Sequence, residues 1–185
     1  MEVFRGELVM VIGRIGTGKS TLLSAVLGEL RRAAGDLAVY GTKALVTQTP
    51  WIRNASLRDN VLFGLPYRPD RFQQTLRACA LDADLATLPA GADTEIGEKG
   101  INLSGGQKAR VQLARAVYGD ADLFLLDDPL SAVDAHVSRR LMDECITGLL
   151  AGKTRILVTH QLQYLHMADK VVVMEGGRIV DCGPP

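Results

Sequence analysis

The chain has 185 residues, one domain's worth of sequence, able to bury about two-thirds of the surface its unfolded form would expose. Its 21 Lys and Arg balance its 21 Asp and Glu, which excludes the broad basic field that draws nucleic acid or an anionic membrane surface, so an anionic ligand has to be held locally. Cys79, Cys145 and Cys182 are too few and too scattered for a disulfide framework or a zinc site and fit a reducing, cytosolic setting. No apolar run reaches the roughly 20 residues that span a bilayer, and no signal pattern opens the chain.

In chain order, the apolar run Leu8 to Ile12 predicts a strand that ends in a glycine-rich loop. From Lys19 the spacing of Leu22, Leu23, Val26, Leu27 and Leu30 predicts an amphipathic helix. Two short strands are expected next, Leu37 to Tyr40 and Ala44 to Thr47, split at Gly41 and Thr42. Residues 50 to 118 then read as a mainly helical subdomain. Ser56 stands where a helix cap belongs, with Asp59 three positions on, and Pro69 sits in a first turn before Phe72, Leu76 and Cys79. Strand character returns at Leu123 to Leu126, followed by a helix over about 134 to 149 and a strand at Arg155 to Thr159. A strand, helix and strand of this length imply parallel pairing. Val171 to Met174 and Arg178 to Val180 flank Glu175-Gly176-Gly177 as a terminal hairpin. The expected fold is α/β, with residues 1–49 and 119–185 as one core and 50–118 inserted as the helical part.

Gly13-Arg14-Ile15-Gly16-Thr17-Gly18-Lys19-Ser20-Thr21 contains G-x-x-x-x-G-K-[ST] between a strand and a helix, the context in which that pattern binds nucleotide phosphates. The glycines let backbone N–H groups face the phosphates, the helix N-terminus adds a favourable dipole, and Lys19 reaches the terminal phosphates. Ser20 is the expected magnesium ligand. A second carboxylate for the metal is expected at Asp127, which ends an apolar strand, directly or through water. Leu103-Ser104-Gly105-Gly106-Gln107 opens a helical stretch as a second anion-binding end: Ser104 can cap it, and Gly105 and Gly106 expose backbone N–H groups. The ligand these motifs call for is MgATP.

With LSGGQ, the phosphate loop and the Asp127 strand together, the sequence resembles the ATP-binding cassette family across nearly the whole chain. The resemblance implies a P-loop NTPase core with a mainly parallel sheet and an inserted helical subdomain carrying the signature. It implies head-to-tail pairing with a second nucleotide-binding domain, ATP being held between one domain's phosphate loop and the other's signature helix. In family order, Gln48 resembles the loop glutamine that touches magnesium, Ser131-Ala132-Val133-Asp134 the dimer-contact loop, and His160 the switch histidine. Outside this company, a lone histidine at a strand end is ordinarily a structural residue.

A finer resemblance is to the first nucleotide-binding domain of the multidrug-resistance-associated, or C, subfamily. It is carried by 49–54 with 60–64, by Thr94-Glu95-Ile96-Gly97-Glu98-Lys99-Gly100, and by Asp127-Asp128-Pro129-Leu130-Ser131-Ala132-Val133-Asp134-Ala135-His136. It implies an ATPase at the cytoplasmic face of a membrane that powers an exporter. The segments near Trp51 and Glu98 would receive its transmembrane domains; a core position is the alternative for Trp51. No nucleic-acid partner is expected. The other functional readings are a soluble cassette ATPase, against which the neutral charge and those two segments argue, and a non-hydrolysing regulatory module.

Two departures bear on activity. Most active family members place a water-polarising glutamate after the metal-binding aspartate, and this chain has Asp128, about 1.5 Å shorter in reach. Slow hydrolysis is the expectation, since misplacement near 1 Å costs about a hundredfold in rate. Only twelve residues precede Gly13, and none can be assigned to stack on adenine. With the chain also stopping at Pro184-Pro185, where the resemblance implies further helices, the domain reads as truncated at both ends.

Overall fold

A computed structural model describes residues 1–98 and 100–185. Lys99, part of one of the resemblance stretches, lies outside them. The described residues form two compact units.

The first unit comprises 1–45, 121–128 and 151–185. It is built on the strands β1 (Leu8–Ile12), β5 (Leu123–Asp127), β6 (Thr154–Val158), β7 (Lys170–Glu175) and β8 (Arg178–Gly183), with β2 (Lys43–Val46) on the far edge. The strand order is β2-β5-β6-β1-β7-β8. β5, β6, β1 and β7 run parallel, and β8 turns back antiparallel on β7, so the mainly parallel sheet and the hairpin are as expected. β1 and β5 are buried over four consecutive residues, the pattern of strands covered on both faces. Val9, Val11, Leu125, Ile156, Val158 and Val172 form a core with Leu23 and Val26 from helix α1 (Lys19–Leu27).

Two expectations fail in this unit. α1 stops at Leu27, because Gly28 adopts φ 94° and returns its N–H to the carbonyls of Ser24 and Ala25, a left-handed terminus that glycine takes without strain. Leu30 lies beyond it and is exposed. Residues 37–40 form no strand. Val39 packs against the core, but Leu37 and Tyr40 face outward, and no ladder holds the segment extended.

The second unit comprises 46–120 and 129–150. Its helices are α2 (Leu57–Leu62), α3 (Pro69–Ala78), α4 (Asp82–Thr87), α5 (Gly105–Gly119) and α6 (Ala135–Arg140), with a short antiparallel pair β3 (Ala55–Ser56) and β4 (Glu95–Ile96). Ser56 caps α2 by accepting from the Asp59 N–H, and Pro69 opens α3, as the sequence predicts. Leu57, Val61, Phe72, Leu76, Val111, Leu113 and Ala114 are buried within it. Residues 46–49, 119–120 and 129–150, assigned from sequence to the core, instead belong to this unit. Arg140 pairs with Asp82 at 2.9 Å, and Cys145 Sγ lies 4.0 Å from Cys79 Sγ, both thiols buried. Beyond α6 the helix widens over Leu141–Leu149 into π geometry, Leu150 N–H bonding to Cys145 O. No helix among the described residues is long and apolar enough to cross a membrane.

Candidate functional site

The first unit gathers four predicted groups at the C-terminal ends of neighbouring parallel strands, the edge where open α/β sheets bind ligands. β1 runs into the loop 13–18, β5 ends at Asp127 with Asp128 next, and His160 follows β6. Since β6 lies between β5 and β1, the strand order alone brings Lys19, the two aspartates and His160 to one edge.

The loop owes its shape to its glycines. Gly16 and Gly18 adopt φ 82° and 93°, open to glycine at no steric cost. A Cβ on Gly13 would collide with the Met174 carbonyl, so the loop is drawn against β7. Thr17 donates its hydroxyl to Arg14 O at 2.8 Å, and its carbonyl accepts from Gly177 N–H at 3.2 Å. Lys19 is 7% exposed, its Nζ donating to Gly13 O at 2.8 Å and Arg14 O at 2.9 Å. A buried ammonium with three donors thus stands inside the loop's curve. Gly18 caps α1 with no side-chain acceptor, and no acidic residue occupies the first turn. Its leading N–H groups and dipole are left to an anion. Ser20, Thr21 and Arg14 are exposed, and Ile15, 91% exposed, marks the loop's outer tip.

Asp127 is half-buried and Asp128 only 6% exposed. Asp128 adopts φ 50°, a left-handed conformation that aspartate tolerates better than most residues, and its N–H bonds to Val158 O at 3.0 Å. Burial pushes the Asp128 carboxyl above the ordinary aspartate range, Asp127 adding to the rise, while His160, through its charge and its backbone N–H, and Lys19 pull the other way. A buried acid, a second carboxylate, a histidine and a lysine within electrostatic reach of one another can hold a phosphate, a cation and a water. The glycine cradle, the buried ammonium and the paired carboxylates fit MgATP in chemistry.

Gln48 belongs to the second unit, exposed two positions beyond β2. The signature lies there too. Ser104 caps α5 with a full capping box: its Oγ accepts from Gln107 N–H at 3.2 Å, while Gln107 Oε1 accepts from Ser104 N–H at 2.8 Å. Leu103 is buried beneath the cap. The other end of the Gln107 amide donates to Asp84 Oδ1 at 2.8 Å, and Asp84 Oδ2 pairs with Arg110 one turn further along α5. Arg110 also donates to Ala80 O. Asp84 therefore fixes which way the Gln107 amide faces. A Cβ on Gly106 would stand 2.8 Å from Ala132 O, whereas one on Gly105 would meet nothing.

The segments around Trp51 and Glu98 come together. β3 pairs with β4, and Asn54 Oδ1 accepts from Glu98 N–H at 2.8 Å. Trp51 is 47% exposed, so the core alternative for it falls. Its ring meets Phe63 edge-on at 5.6 Å and carries the Arg115 guanidinium at 4.0 Å. Burial, with Arg53 nearby, pulls Arg115 down to about 10.

Sequence reasoning missed Asp84 and Gln112. Gln112 is 3% exposed and donates through Nε2 to Thr47 Oγ1 at 2.8 Å and Thr47 O at 3.3 Å. Both are pairings across long stretches of chain that no local pattern announces; the one signal was a polar residue within the otherwise apolar stretch Val111 to Ala114.

Comparison with known proteins agrees with this geometry. A family model described as "ABC transporter" matches residues 1–131. Multidrug resistance protein mrp-7 of Caenorhabditis elegans is 58% identical over 97% of this chain, and human ATP-binding cassette sub-family C member 3 is 55% identical over all of it, each match covering 12% of the relative. Human ATP-binding cassette sub-family C member 10 is 52% identical over the whole chain and 13% of its own length. The chain thus spans about an eighth of the length of the curated relatives it matches. On this evidence the chain belongs to the ABC transporter family, and within it is similar to members of sub-family C.

Proposed function

We propose that this chain is the ATP-binding and ATP-hydrolysing cassette of a membrane exporter, working at the cytoplasmic face and resembling the first of the two cassettes of sub-family C. The observation that carries this reading is the convergence of Lys19, Asp127, Asp128 and His160 on one edge of the first unit's sheet. Gly13 to Thr21 hold the phosphates, with backbone N–H groups and Lys19 as donors. Ser20, Asp127 and Gln48 are the residues that would hold Mg²⁺, which when bound supplies positive charge to the terminal phosphates. Asp128 orients the attacking water and takes its proton, and His160 contacts the terminal phosphate. The signature, Leu103 to Gln107, completes the site of a second cassette paired head to tail, whose own signature completes this one. The Trp51 and Glu98 segments, brought together through Asn54 and β3 with β4, are the surface offered to transmembrane domains.

Turnover at this site is slow. The raised carboxyl of Asp128 makes it a better base than an ordinary aspartate, but its reach is about 1.5 Å short of a glutamate's, and position outweighs basicity when about 1 Å costs a hundredfold. Asp128→Glu in the paired cassettes should raise steady-state ATPase about tenfold or more. An unchanged or lower rate would sink the slow-site assignment.

A further inference from the structure

Gln112 has no part in the site as described so far. It lies in α5, about 12 Å along the helix from Ser104 at 1.5 Å per residue. Its neighbours Val111, Leu113 and Ala114 are buried apolar residues, and it is itself 3% exposed. Its amide is only partly used: Nε2 grips Thr47, while no donor among the described residues reaches Oε1. Burying a primary amide with its acceptor unpaired is unfavourable, so an apolar side chain would serve packing better. What an apolar side chain cannot do is hold Thr47. The hold extends past Gln48, because the Thr47 hydroxyl that accepts from Gln112 at 2.8 Å donates in turn to Thr49 O at 2.9 Å. The residues on both sides of the exposed Gln48 are therefore pinned, one directly and one through Thr47, to the helix that begins at the signature.

We propose that Gln112 is a positioning residue for Gln48, fixing through Thr47 where the Gln48 side chain is presented to the metal. This rests on the reading of Gln48 as a magnesium contact. An outer contact of this kind sets metal affinity, not nucleotide affinity as such. It also makes α5 one rigid piece carrying both the signature serine and the grip on the Gln48 segment, so displacement of the signature end moves that segment with it.

The test is a Mg²⁺ titration of the binding of a fluorescent ATP analogue to this chain, with metal-free binding and thermal unfolding followed in parallel. Gln48→Ala comes first and should raise the half-saturating Mg²⁺ concentration. Gln112→Met, which keeps the volume and removes the unpaired acceptor, should raise it about tenfold with metal-free affinity unchanged and the unfolding midpoint unchanged or higher. Thr47→Val should give the same shift, Thr47→Ser should restore wild-type behaviour, and the double variant Gln112→Met with Thr47→Val should exceed neither single change. If Gln48→Ala shifts the titration and Gln112→Met does not, the proposal alone falls, as it does if the two single shifts multiply. If Gln48→Ala has no effect, the reading of Gln48 falls and takes the proposal with it.

Discussion

Two helix N-termini in this molecule face the same physical problem and solve it in opposite ways. Each leaves its leading N–H groups without intrahelical acceptors. At α1 no cap side chain answers them: Gly18 has none to offer, and no acid follows in the first turn. At α5 the chain answers two of them itself, Ser104 and Gln107 closing a reciprocal capping box that Asp84 and Arg110 hold from beyond. The first end is built around a ligand that has to be supplied; the second is half closed without one. The second end keeps the Ser104 hydroxyl proton as a donor, because its oxygen is already accepting from Gln107 N–H, beside the Gly105 and Gly106 N–H groups that the capping box does not use. An anion at α1 is therefore met by more backbone donors and an ammonium, and one at α5 by two glycine N–H groups and a hydroxyl on a pre-set surface.

The largest test of this contrast is Asp84→Ala. Asp84 and Arg110 side chains are 14% and 12% exposed, and removing one partner of a buried pair leaves the other uncompensated, at a cost of about 3 kcal/mol. Denaturant unfolding should show that loss, with Gln107 freed from its fixed orientation. Metal-free nucleotide affinity should change little, since α1 does not depend on this pair. A comparable loss of nucleotide binding in a variant that remains folded would mean the two ends are not independent.

Lys19→Ala is the converse and slightly smaller. It removes the ammonium that sits on the carbonyls of Gly13 and Arg14, and charge-assisted bonds to a phosphate contribute about 1.5–3 kcal/mol. Nucleotide titration should show affinity down by about a hundredfold at the upper end of that range, with the unfolding of the α5 end unaffected. Retained affinity would mean that the loop's N–H groups suffice alone.

The contrast was only half legible in the sequence. The phosphate loop could be read because its work is done by backbone shape, and Gly16 and Gly18 advertise the left-handed conformations they adopt. Asp127 could be read because four apolar residues before it spell a strand covered on both faces. The Ser104 cap was visible as a local pattern, a serine directly before two glycines at the start of a helical stretch. Asp84, which sets the orientation of Gln107, lies 23 positions upstream in α4, and Gln112 reaches Thr47 across 65; periodicity within a helix carries no information about such partners. The same blindness put 129–150 with the strands that flank it, when Arg140 and Cys145 commit it to the helical unit. Residues 37–40 failed for the opposite reason: their local strand preference is real, but a strand persists only with a ladder partner.

Ser104→Ala should act at the cap alone. Loss of a serine N-cap costs about 1 kcal/mol, read as a lower unfolding midpoint. Because the cap owes nothing to α1, nucleotide binding by the single chain should be unchanged, while ATPase of paired cassettes should fall with the lost hydroxyl. An equal effect on both readouts would mean that the serine acts through folding.

The smallest effect is expected one residue on, and it divides the two signature glycines by cause. At Gly106 an added Cβ would stand 2.8 Å from Ala132 O, closer than real Cβ contacts come, so Gly106→Ala must displace either the helix or the segment that follows Pro129. At Gly105 the added Cβ meets nothing within 4 Å, and alanine is the better helix former. Gly105→Ala should therefore change stability by no more than about 0.5 kcal/mol, as an unobstructed surface substitution does. If paired ATPase nevertheless drops, the missing side chain at Gly105 serves the approach of a ligand and not the folding of this chain. If activity is untouched, Gly105 is spare, and the exposed signature surface begins at the serine hydroxyl.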